Sequence, residues 1–449
     1  MRNSLPRFGP KSEHAAGYVV VTLVLVAVGI AASLWRPLAP PTPPVSTDLD
    51  TFAPAVMAAV EAYRGPRYVA SALSTVLSVL VPLLVALSPP GRRLVTRLAG
   101  PTTHSVWRAA WVAFVVSMLT SLATFPMAAW SRIVHDGRWG FRTQSATGWL
   151  VDWLTVMGGR WLAVATLVAV LMAAVRRWPR SWPFRLTIVG TLVAAMVVLF
   201  HPLVLQPVLL PSSPMPPSET RDEARAVLEE QGAADLPLHV GEASLRTTRV
   251  NAMVVGIGPT ERVVLYDTLL DLPGDQIQSV LAHELAHREH RDLLRGVLLV
   301  PVFLLPALLV LRAVVFRPGA GRRVGARGGT DPRLVATVMA VVAVLELVGG
   351  PVANVASRRA EAAADHRALE VTGDPVAKIA ASRAHTVRDL GPPSGPSWAH
   401  LLHGTHPSVQ ERIRAAVAQA EDPDQLPPRV EFEEAEREVA HEAVLEGLE

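Results

Sequence analysis

Long apolar runs dominate the first half of the chain and return twice after it. Each run approaches the roughly 20 residues that an α-helix needs to cross the hydrocarbon core of a bilayer. We therefore predict about seven transmembrane helices. In chain order they are Gly17–Trp35, Tyr68–Ser88, Ala109–Ala129, Trp149–Val175, Leu186–Leu210, Gly296–Leu311 and Leu334–Ala356.

Two of these runs allow a second interpretation. The first contains the small residues Ala31-Ala32-Ser33 near its end, as a signal peptide does before its cleavage site. Its length favours an uncleaved helix, because the run exceeds a usual signal-peptide core. The fourth run is interrupted by Asp152 and Arg160, so we expect a helix that projects beyond the membrane at its start.

The segment between the fifth and sixth runs has the mixed pattern of a soluble domain. Ser218 is a good N-cap for a helix that continues through Glu230. Three short β-like runs follow, at residues 236–240, 251–256 and 262–266. An amphipathic helix is then predicted from Asp275 to His290, because its apolar residues recur at helical spacing.

These patterns predict a mainly α-helical, polytopic membrane protein with a small α+β domain. The predicted division has five parts. They are a membrane region (1–210), a soluble part with the strands and the amphipathic helix (211–292), two further membrane helices (293–356), a C-terminal helical part (357–420) and an acidic tail (421–449).

Composition and charge narrow the possible functions. Hydrophobic residues make up 50% of the chain and the mean hydropathy is +0.31, which is too apolar for an ordinary soluble protein. The chain has no cysteine, so disulfides, cysteine-ligated zinc and a thiol nucleophile are excluded. The net charge is only +3, and no nucleic-acid-binding motif is found. Metal ligands must therefore come from His, Asp and Glu.

One motif carries the candidate chemistry, His283-Glu284-Leu285-Ala286-His287. Histidines four residues apart lie on one face of a helix, so both imidazoles can bind a single metal ion. Glu284 lies beside a ligand, where a carboxylate can accept a proton from metal-bound water. This is the pattern of a zinc metallopeptidase. A chance match is the alternative, but the amphipathic helix around the motif argues against it.

A zinc ion bound by two histidines needs a third protein ligand and an open position for water. His290 is disfavoured, because it lies seven residues from His283, about 10 Å along the helix axis. Position 293, where some zinc peptidases have a third histidine, is Leu293. Glu361 and Asp365 are better candidates: they are one turn apart, so Glu361 can bind zinc while Asp365 supports a histidine. On spacing alone, a solvated surface helix explains this pair equally well.

The two motifs together resemble those of the membrane-embedded zinc metallopeptidases that include the type 1 CAAX prenyl proteases and HtpX. The second motif is Ser-Arg-x-x-Glu-x-x-Ala-Asp, here residues 357–365. The resemblance implies that Glu361 is the third zinc ligand and that Asp365 lies behind a ligand. Five spans before the motif and two after it match the prenyl protease layout, which implies helices around a large chamber.

Further stretches extend the resemblance. Residues 263–270 resemble the strand and turn before the zinc helix. Residues 251–256 resemble the substrate-side edge strand, which implies substrate binding by Asn251 and Gly256. His406-Pro407 and Arg412 resemble the C-terminal Ser/Thr-His-Pro segment, which implies that His406 stabilises an oxyanion and that Arg412 supports the site. Without the resemblance, a residue at a helix start explains His406 equally well.

The chain also departs from the family pattern. The usual HELGH is HELAH here, and a proline-rich stretch at residues 210–217 replaces a Phe-Asn-containing one. These changes leave the chemistry intact but leave open whether the substrate is prenylated.

We therefore expect a membrane-integrated zinc endopeptidase that hydrolyses hydrophobic or membrane-associated polypeptides, with Glu284 as general base. Its expected partners are peptide or protein substrates and membrane lipid, but not nucleic acid. One alternative is a non-catalytic scaffold on the same fold, which would be expected to lose Glu284. The other is a transporter. Glu346 inside the last span suits a water-filled interior, yet few other charges lie within the spans.

Arginine and lysine in short loops set the orientation of membrane proteins. With seven spans, the loops on one side hold 15 positive residues and the opposite short loops hold 7. We therefore expect the N-terminus in the cytoplasm, with the zinc domain and the C-terminus outside the plasma membrane of a prokaryote. A change of one in the number of spans would invert this orientation.

Overall fold

The computed structural model describes residues 47–317, 319–438 and 440–442. The first predicted span, Gly17–Trp35, lies outside these residues. The α-helices of seven residues or more, in chain order, are α1 Pro54–Leu87, α2 Pro89–Ala99, α3 Val106–Ala129, α4 Ala146–Arg177, α5 Trp182–Phe200, α6 Glu219–Glu230, α7 Gly274–Glu289, α8 Asp292–Val314, α9 Val335–Thr372, α10 Pro375–Asp389, α11 Ser397–His403, α12 Val409–Gln419 and α13 Arg429–Glu436.

Six helical segments of the described chain are long and apolar enough to cross a membrane. They are Pro54–Leu87, Val106–Arg138, Ala146–Arg177, Trp182–Leu209, Asp292–Val314 and Pro332–Thr372. The second and fourth of these include π-helical turns, Trp130–His135 and His201–Leu205, that continue α3 and α5. Each segment overlaps one of the predicted runs from the second to the seventh, so those six predictions are confirmed.

The structure corrects the start of the first described span. The sequence predicts a loop over residues 36–67, but α1 begins at Pro54. Proline suits the first turn of a helix, because the N–H that it lacks has no partner there. Pro66 lies inside α1, where it removes one helical hydrogen bond. Tyr63 in the same turn is fully buried against aromatic rings, and this packing holds the turn in place.

The predicted fourth span forms one continuous helix despite its charged residues. Ser145 caps α4 by accepting a hydrogen bond from the N–H of Gly148 at 3.0 Å. Asp152, in the second turn, pairs with Arg246 of the soluble domain at 3.0 Å. This ion pair explains how the start of an apolar helix accommodates an acid.

The soluble domain contains a four-stranded sheet in the order β1-β2-β4-β3. Its strands are β1 Ser212–Pro214, β2 Leu238–Gly241, β3 Ala252–Val255 and β4 Arg262–Tyr266. Strands β2 and β4 are parallel, and the other two pairs are antiparallel. The three predicted β-like runs are confirmed, whereas β1 was not predicted because proline disfavours a strand. It lies at the edge of the sheet, where proline is tolerated.

Helix α7 packs its apolar stripe against this sheet. Ile277, Leu281 and Leu285 are buried in one cluster with Leu265 of β4 and Leu228 of α6. Burial of each leucine contributes about 1.5–3 kcal/mol. This packing orients α7 and leaves its opposite face, which carries the histidine motif, free to meet other helices.

The last span and the C-terminal motif belong to one helix. Helix α9 runs for 38 residues, Val335–Thr372, and ends at Gly373 with a left-handed φ of 59°. The predicted boundary between residues 356 and 357 therefore falls inside a continuous helix. Glu346 within it is exposed, and the predicted water-filled surroundings of this acid stay a prediction.

The loops between the spans lie at two opposite ends of the helix bundle. At the end near the sheet, Arg67 pairs with Asp136 at 2.5 Å, and Arg64 donates to the carbonyl of Leu390 at 2.6 Å. At the other end, Arg333 donates to the Gly100 carbonyl at 3.0 Å, and His104 lies 2.8 Å from Thr330. The described loops 89–106 and 317–333 therefore meet at one end, as the sequence predicts, and the orientation of the two ends in the membrane stays a prediction.

Candidate metal centre

The histidine motif lies in the second half of α7, where the helix is already fixed by the sheet. The helix gives way to a tight turn at Arg291, whose φ of 56° is left-handed. Helix α8 begins at the next residue, Asp292. The turn brings the Asp292 carboxylate back to the last turn of α7, where its Oδ2 lies 2.8 Å from Nδ1 of His287.

Three side chains converge on one point. The Nε2 atoms of His283 and His287 are 3.3 Å apart. Glu361 of α9 reaches both rings, with Oε2 at 3.2 Å from His283 Nε2 and Oε1 at 3.5 Å from His287 Nε2. One donor atom from each residue lies within 4.8 Å of the other two, a group that could hold a metal ion. The structure therefore brings together the three side chains that the sequence analysis named as candidate ligands.

A carboxylate lies behind each histidine. Asp365 Oδ1 is 2.9 Å from Nδ1 of His283, as the sequence analysis expected. Asp292 occupies the equivalent position behind His287. Such carboxylates set the ring orientation and make the outward nitrogen a stronger metal ligand. Asp292 was missed in the sequence, since only the sharp turn at Arg291 brings it near.

Two cations neutralise the acids of the centre. Lys378 of α10 is buried, and its Nζ lies 2.5 Å from Oδ1 of Asp365. Arg412 donates to Glu361 Oε2 at 3.1 Å and lies 3.2 Å from Asp365 Oδ2. Sequence reasoning assigned Arg412 a supporting role, whereas nothing in the pattern around Lys378 distinguishes it from a surface lysine. Together the two cations fix both α9 carboxylates.

Glu284 lies on the wall of a cavity of about 620 Å³ that also reaches His283, His406 and Arg412. Burial raises the pKa of the Glu284 carboxyl above its ordinary value, although His283 and His287 act to lower it. A raised pKa brings this carboxyl closer to the range in which it can exchange protons at neutral pH. The Glu284 carboxylate thus faces a cavity next to His283, and its role as general base stays a prediction.

His406 approaches the same centre from the C-terminal part. Its Nε2 is 3.4 Å from Glu361 Oε1, and its side chain keeps 60% of its exposure. The residue precedes α12, which Ser408 and Glu411 cap reciprocally. Both interpretations of His406 are therefore compatible with its position, because it stands just before a helix and also faces the cavity.

The two predicted substrate-binding residues differ in position. Asn251 is exposed, lines the cavity and immediately precedes the edge strand β3. Gly256 follows β3 and is buried outside the cavity lining. Its φ is +87°, and a Cβ atom there would lie 2.4 Å from the Thr260 carbonyl oxygen. The turn itself requires glycine at this position, and a role for Gly256 in binding substrate stays a prediction.

Comparisons with known proteins agree with this arrangement. Residues 217–420 match peptidase family M48. Residues 43–210 match the N-terminal region of CAAX prenyl proteases, which comprises five membrane helices. The two matches meet close to the predicted start of the soluble domain, so together they cover both the membrane helices and the metal centre.

Individual relatives are distant. The uncharacterized metalloprotease YhfN of Bacillus subtilis (strain 168) is 24% identical over 320 residues, or 69% of this chain and 74% of that protein. The CAAX prenyl protease 1 homolog of Arabidopsis thaliana is 24% identical over 183 residues, and CAAX prenyl protease 1 of Saccharomyces cerevisiae is 21% identical over 186 residues. These matches cover 39% and 41% of this chain, and 42% and 41% of the plant and yeast proteins.

A solved structure shares the fold over nearly the whole chain. The crystal structure of S. mikatae Ste24p superposes with a TM-score of 0.71 at 17% sequence identity, and the match covers 92% of this chain and 100% of that one. The two chains thus share their overall fold. The two family matches and the six apolar helices identify the chain as a multi-pass membrane metallopeptidase of the CAAX prenyl protease-like family.

Proposed function

We propose that this chain is a zinc-dependent endopeptidase that hydrolyses hydrophobic or membrane-associated polypeptides. The observation that carries the proposal is the convergence of His283, His287 and Glu361 next to a cavity that His283 and Glu284 line. Two imidazole nitrogens and a carboxylate are the ligands of many catalytic zinc sites, which keep a further position open.

The residues around the centre fit a zinc ion. A bound dication would have its two histidine ligands oriented by Asp365 and Asp292. Burial lowers the pKa of His283, but Asp365 and Glu361 outweigh burial and raise it overall. The same carboxylates create a field that favours a cation at this point. When bound there, zinc supplies Lewis-acid chemistry, which polarises a peptide carbonyl and makes water more acidic.

The protein side chains would divide the remaining work. Glu284 accepts the proton of the attacking water and later passes it to the leaving amine. His406, which is exposed to the cavity, donates a hydrogen bond to the developing oxyanion. Arg412 holds Glu361 and Asp365 in position. Asn251 and β3, the last strand of the sheet, align the substrate backbone as an added strand.

The proposal is tested by incubating the purified full-length protein, in lipid nanodiscs, with a peptide library and with membrane-associated polypeptides. We expect new peptide termini by mass spectrometry, loss of cleavage with a zinc chelator and recovery when zinc is restored. The chain without added chelator is the matched reference. Cleavage that resists chelation, or no cleavage of any polypeptide in either set, would contradict the function.

We also propose the orientation that the loop charges favour, with the zinc domain and the C-terminus outside the cytoplasm. Alkaline phosphatase fused after Glu449 is expected to be active, because it folds only outside. The same reporter inserted after Arg180, in a loop at the opposite end of the bundle, should be inactive. The reverse pattern, with a fluorescent C-terminal fusion of a cytoplasm-only reporter, would refute this orientation.

A further inference from the structure

The cavity extends well beyond the metal centre along one face of α10. Lys378, Ser382, His385 and Arg388 of this helix all line it. Lys378 contacts the centre through Asp365, and Arg388 lies ten residues further on, about 15 Å along the helix axis. The cavity therefore has a distal end, remote from the metal ligands.

The lining of this cavity is strongly basic. Among the described residues that line it, five are Arg or Lys, five are His and one, Glu284, has a carboxylate. Several of the cations are already neutralised. Lys378 and Arg412 pair with the acids of the metal centre, and Arg388 lies 3.2 Å from the exposed Asp271. The unbalanced charge is thus concentrated at the distal end.

Arg64 is the cation there that lacks a counter-charge. It forms no ion pair with a described carboxylate, and its Nε and Nη2 donate to the backbone carbonyls of Leu390 and Asp389 at 2.6 and 3.3 Å. No hydrogen bond within the described chain uses its Nη1. Its neighbours Arg67 and Arg249 also carry positive charge, and all three guanidinium carbons lie 5.2–5.5 Å from the centre of the Tyr63 ring.

A buried carboxylate beside Tyr63 and Arg67 is already engaged by other donors. Asp136 is buried and already accepts hydrogen bonds from Tyr63 at 2.7 Å, from Arg67 at 2.5 Å and from Arg132 at 3.1 Å. The guanidinium of Arg64 is half-buried and has like charges beside it, so an anion bound from the cavity side would stabilise its charge.

A second donor lies beside Arg64. Tyr68, one turn further along α1, also lines the cavity, and its hydroxyl forms no hydrogen bond within the described chain. Its ring is held at 6.1 Å from that of Trp398 in an edge-on contact. A guanidinium and a phenol hydroxyl one helical turn apart match the two oxygens of a carboxylate.

We propose that Arg64 and Tyr68 form a subsite for a carboxylate of the substrate, at the distal end of the cavity. The inference rests on the proposed endopeptidase function and names a substrate feature that this site selects. The distance of about 15 Å corresponds to four or five residues of extended peptide. The carboxylate comes either from an acidic side chain at that distance from the cleaved bond or from the C-terminus of the peptide.

The test uses the full-length protein in nanodiscs and internally quenched peptides built on a sequence that it cleaves. Glu is compared with Gln at each position four or five residues from the cleaved bond, on either side. Each peptide is made with a free and with an amidated C-terminus. We expect kcat/KM to be about tenfold higher for one acidic peptide than for its amide, which is typical of a charge-assisted hydrogen bond. If the Glu and Gln peptides differ, the carboxylate comes from an acidic side chain. If the free and amidated peptides differ, it comes from the C-terminus.

Variants then assign the preference to residues. Arg64→Gln should bring the acid-to-amide ratio close to one, and Tyr68→Phe should reduce it about threefold. The ratio does not depend on the fraction of active protein, so partial misfolding does not affect it. Arg132→Gln is the matched control, because Arg132 binds Asp136 next to this cluster, as Arg67 does, but does not line the cavity. The ratio should survive in this variant and should fall with rising salt in the wild-type protein.

Three outcomes would overturn the subsite. A ratio near one in the wild type removes it while leaving the endopeptidase function intact. An equal loss of preference in Arg132→Gln shows that the Asp136 network acts indirectly. If no peptide is cleaved above the level of the Glu284→Gln variant, the proposed function fails and the subsite falls with it.

Discussion

Replacement of Glu284 by glutamine is expected to abolish peptide hydrolysis while the protein still binds one zinc ion. The amide fills the same space on the cavity wall but cannot accept a proton from water. General-base catalysis contributes typically 10²–10⁴-fold to a rate, so we expect turnover to fall by at least about a hundredfold. Turnover is measured with a quenched peptide, and bound zinc with elemental analysis of the same sample.

Glu289→Gln is the matched control for this change. Glu289 lies on the same helix, is exposed and pairs with Arg367 at 2.9 Å. The loss of an exposed ion pair costs at most about 1 kcal/mol, so this variant should retain wild-type turnover. If Glu284→Gln stays within tenfold of the wild type, Glu284 is not the general base.

Substitution of a metal ligand is expected to remove both the zinc and the activity. His283→Ala and Glu361→Ala each leave two protein ligands, and neither should retain stoichiometric zinc after dialysis. Asp292→Asn should be milder, since carboxylates behind metal-bound histidines typically change metal affinity by 10–100-fold. Zinc affinity is measured by competition with a chromophoric chelator.

A nearby histidine provides the control for the ligand set. His290 lies at the C-terminus of α7 but outside the convergent group of His283, His287 and Glu361, so His290→Ala should keep its zinc. Full zinc occupancy in Glu361→Ala would exclude Glu361 as the third ligand. The thermal unfolding temperature of each purified variant distinguishes loss of metal from loss of fold.

Local chemistry explains where sequence-based prediction of the fold succeeded. The helix predicted after Ser218 begins and ends where expected, because its N-cap and acidic first turn lie within the same few residues. Strand β4 and helix α7 agree to within one residue, since alternation and helical periodicity are read over short windows. The six spans agree because the bilayer demands length and apolarity, and both are properties of the sequence.

The remaining features depend on long-range contacts. The loop predicted before Tyr68 is helical because Tyr63 and Arg67 pack against residues about 70 positions away. The pairing of Asp292 with His287 depends on one left-handed residue at the helix junction. The uncompensated charge of Arg64 could not be predicted from the sequence, because the backbone carbonyls to which it donates lie more than 300 residues away.

The candidate site divides in the same way. Spacing alone predicted that His283 and His287 share a face of one helix. Spacing left Glu361 undecided between a ligand and a solvated surface residue, and the resemblance to a family was needed to choose. Lys378 could not be predicted, since its importance comes from burial against Asp365 rather than from its neighbours in sequence.

Because α9 is continuous, a movement of its membrane-spanning part also moves Glu361 at the candidate metal centre. A rigid helix transmits rotation along its length, and a turn of about 10° moves a side chain 5–6 Å from the axis by about 1 Å. Metal–ligand distances tolerate only about 0.2 Å, so Glu361 can follow little of such a movement. Bilayers that are too thick or too thin tilt the helices within them. Zinc affinity compared between short-chain and long-chain lipids would therefore report how firmly the membrane holds this ligand in place.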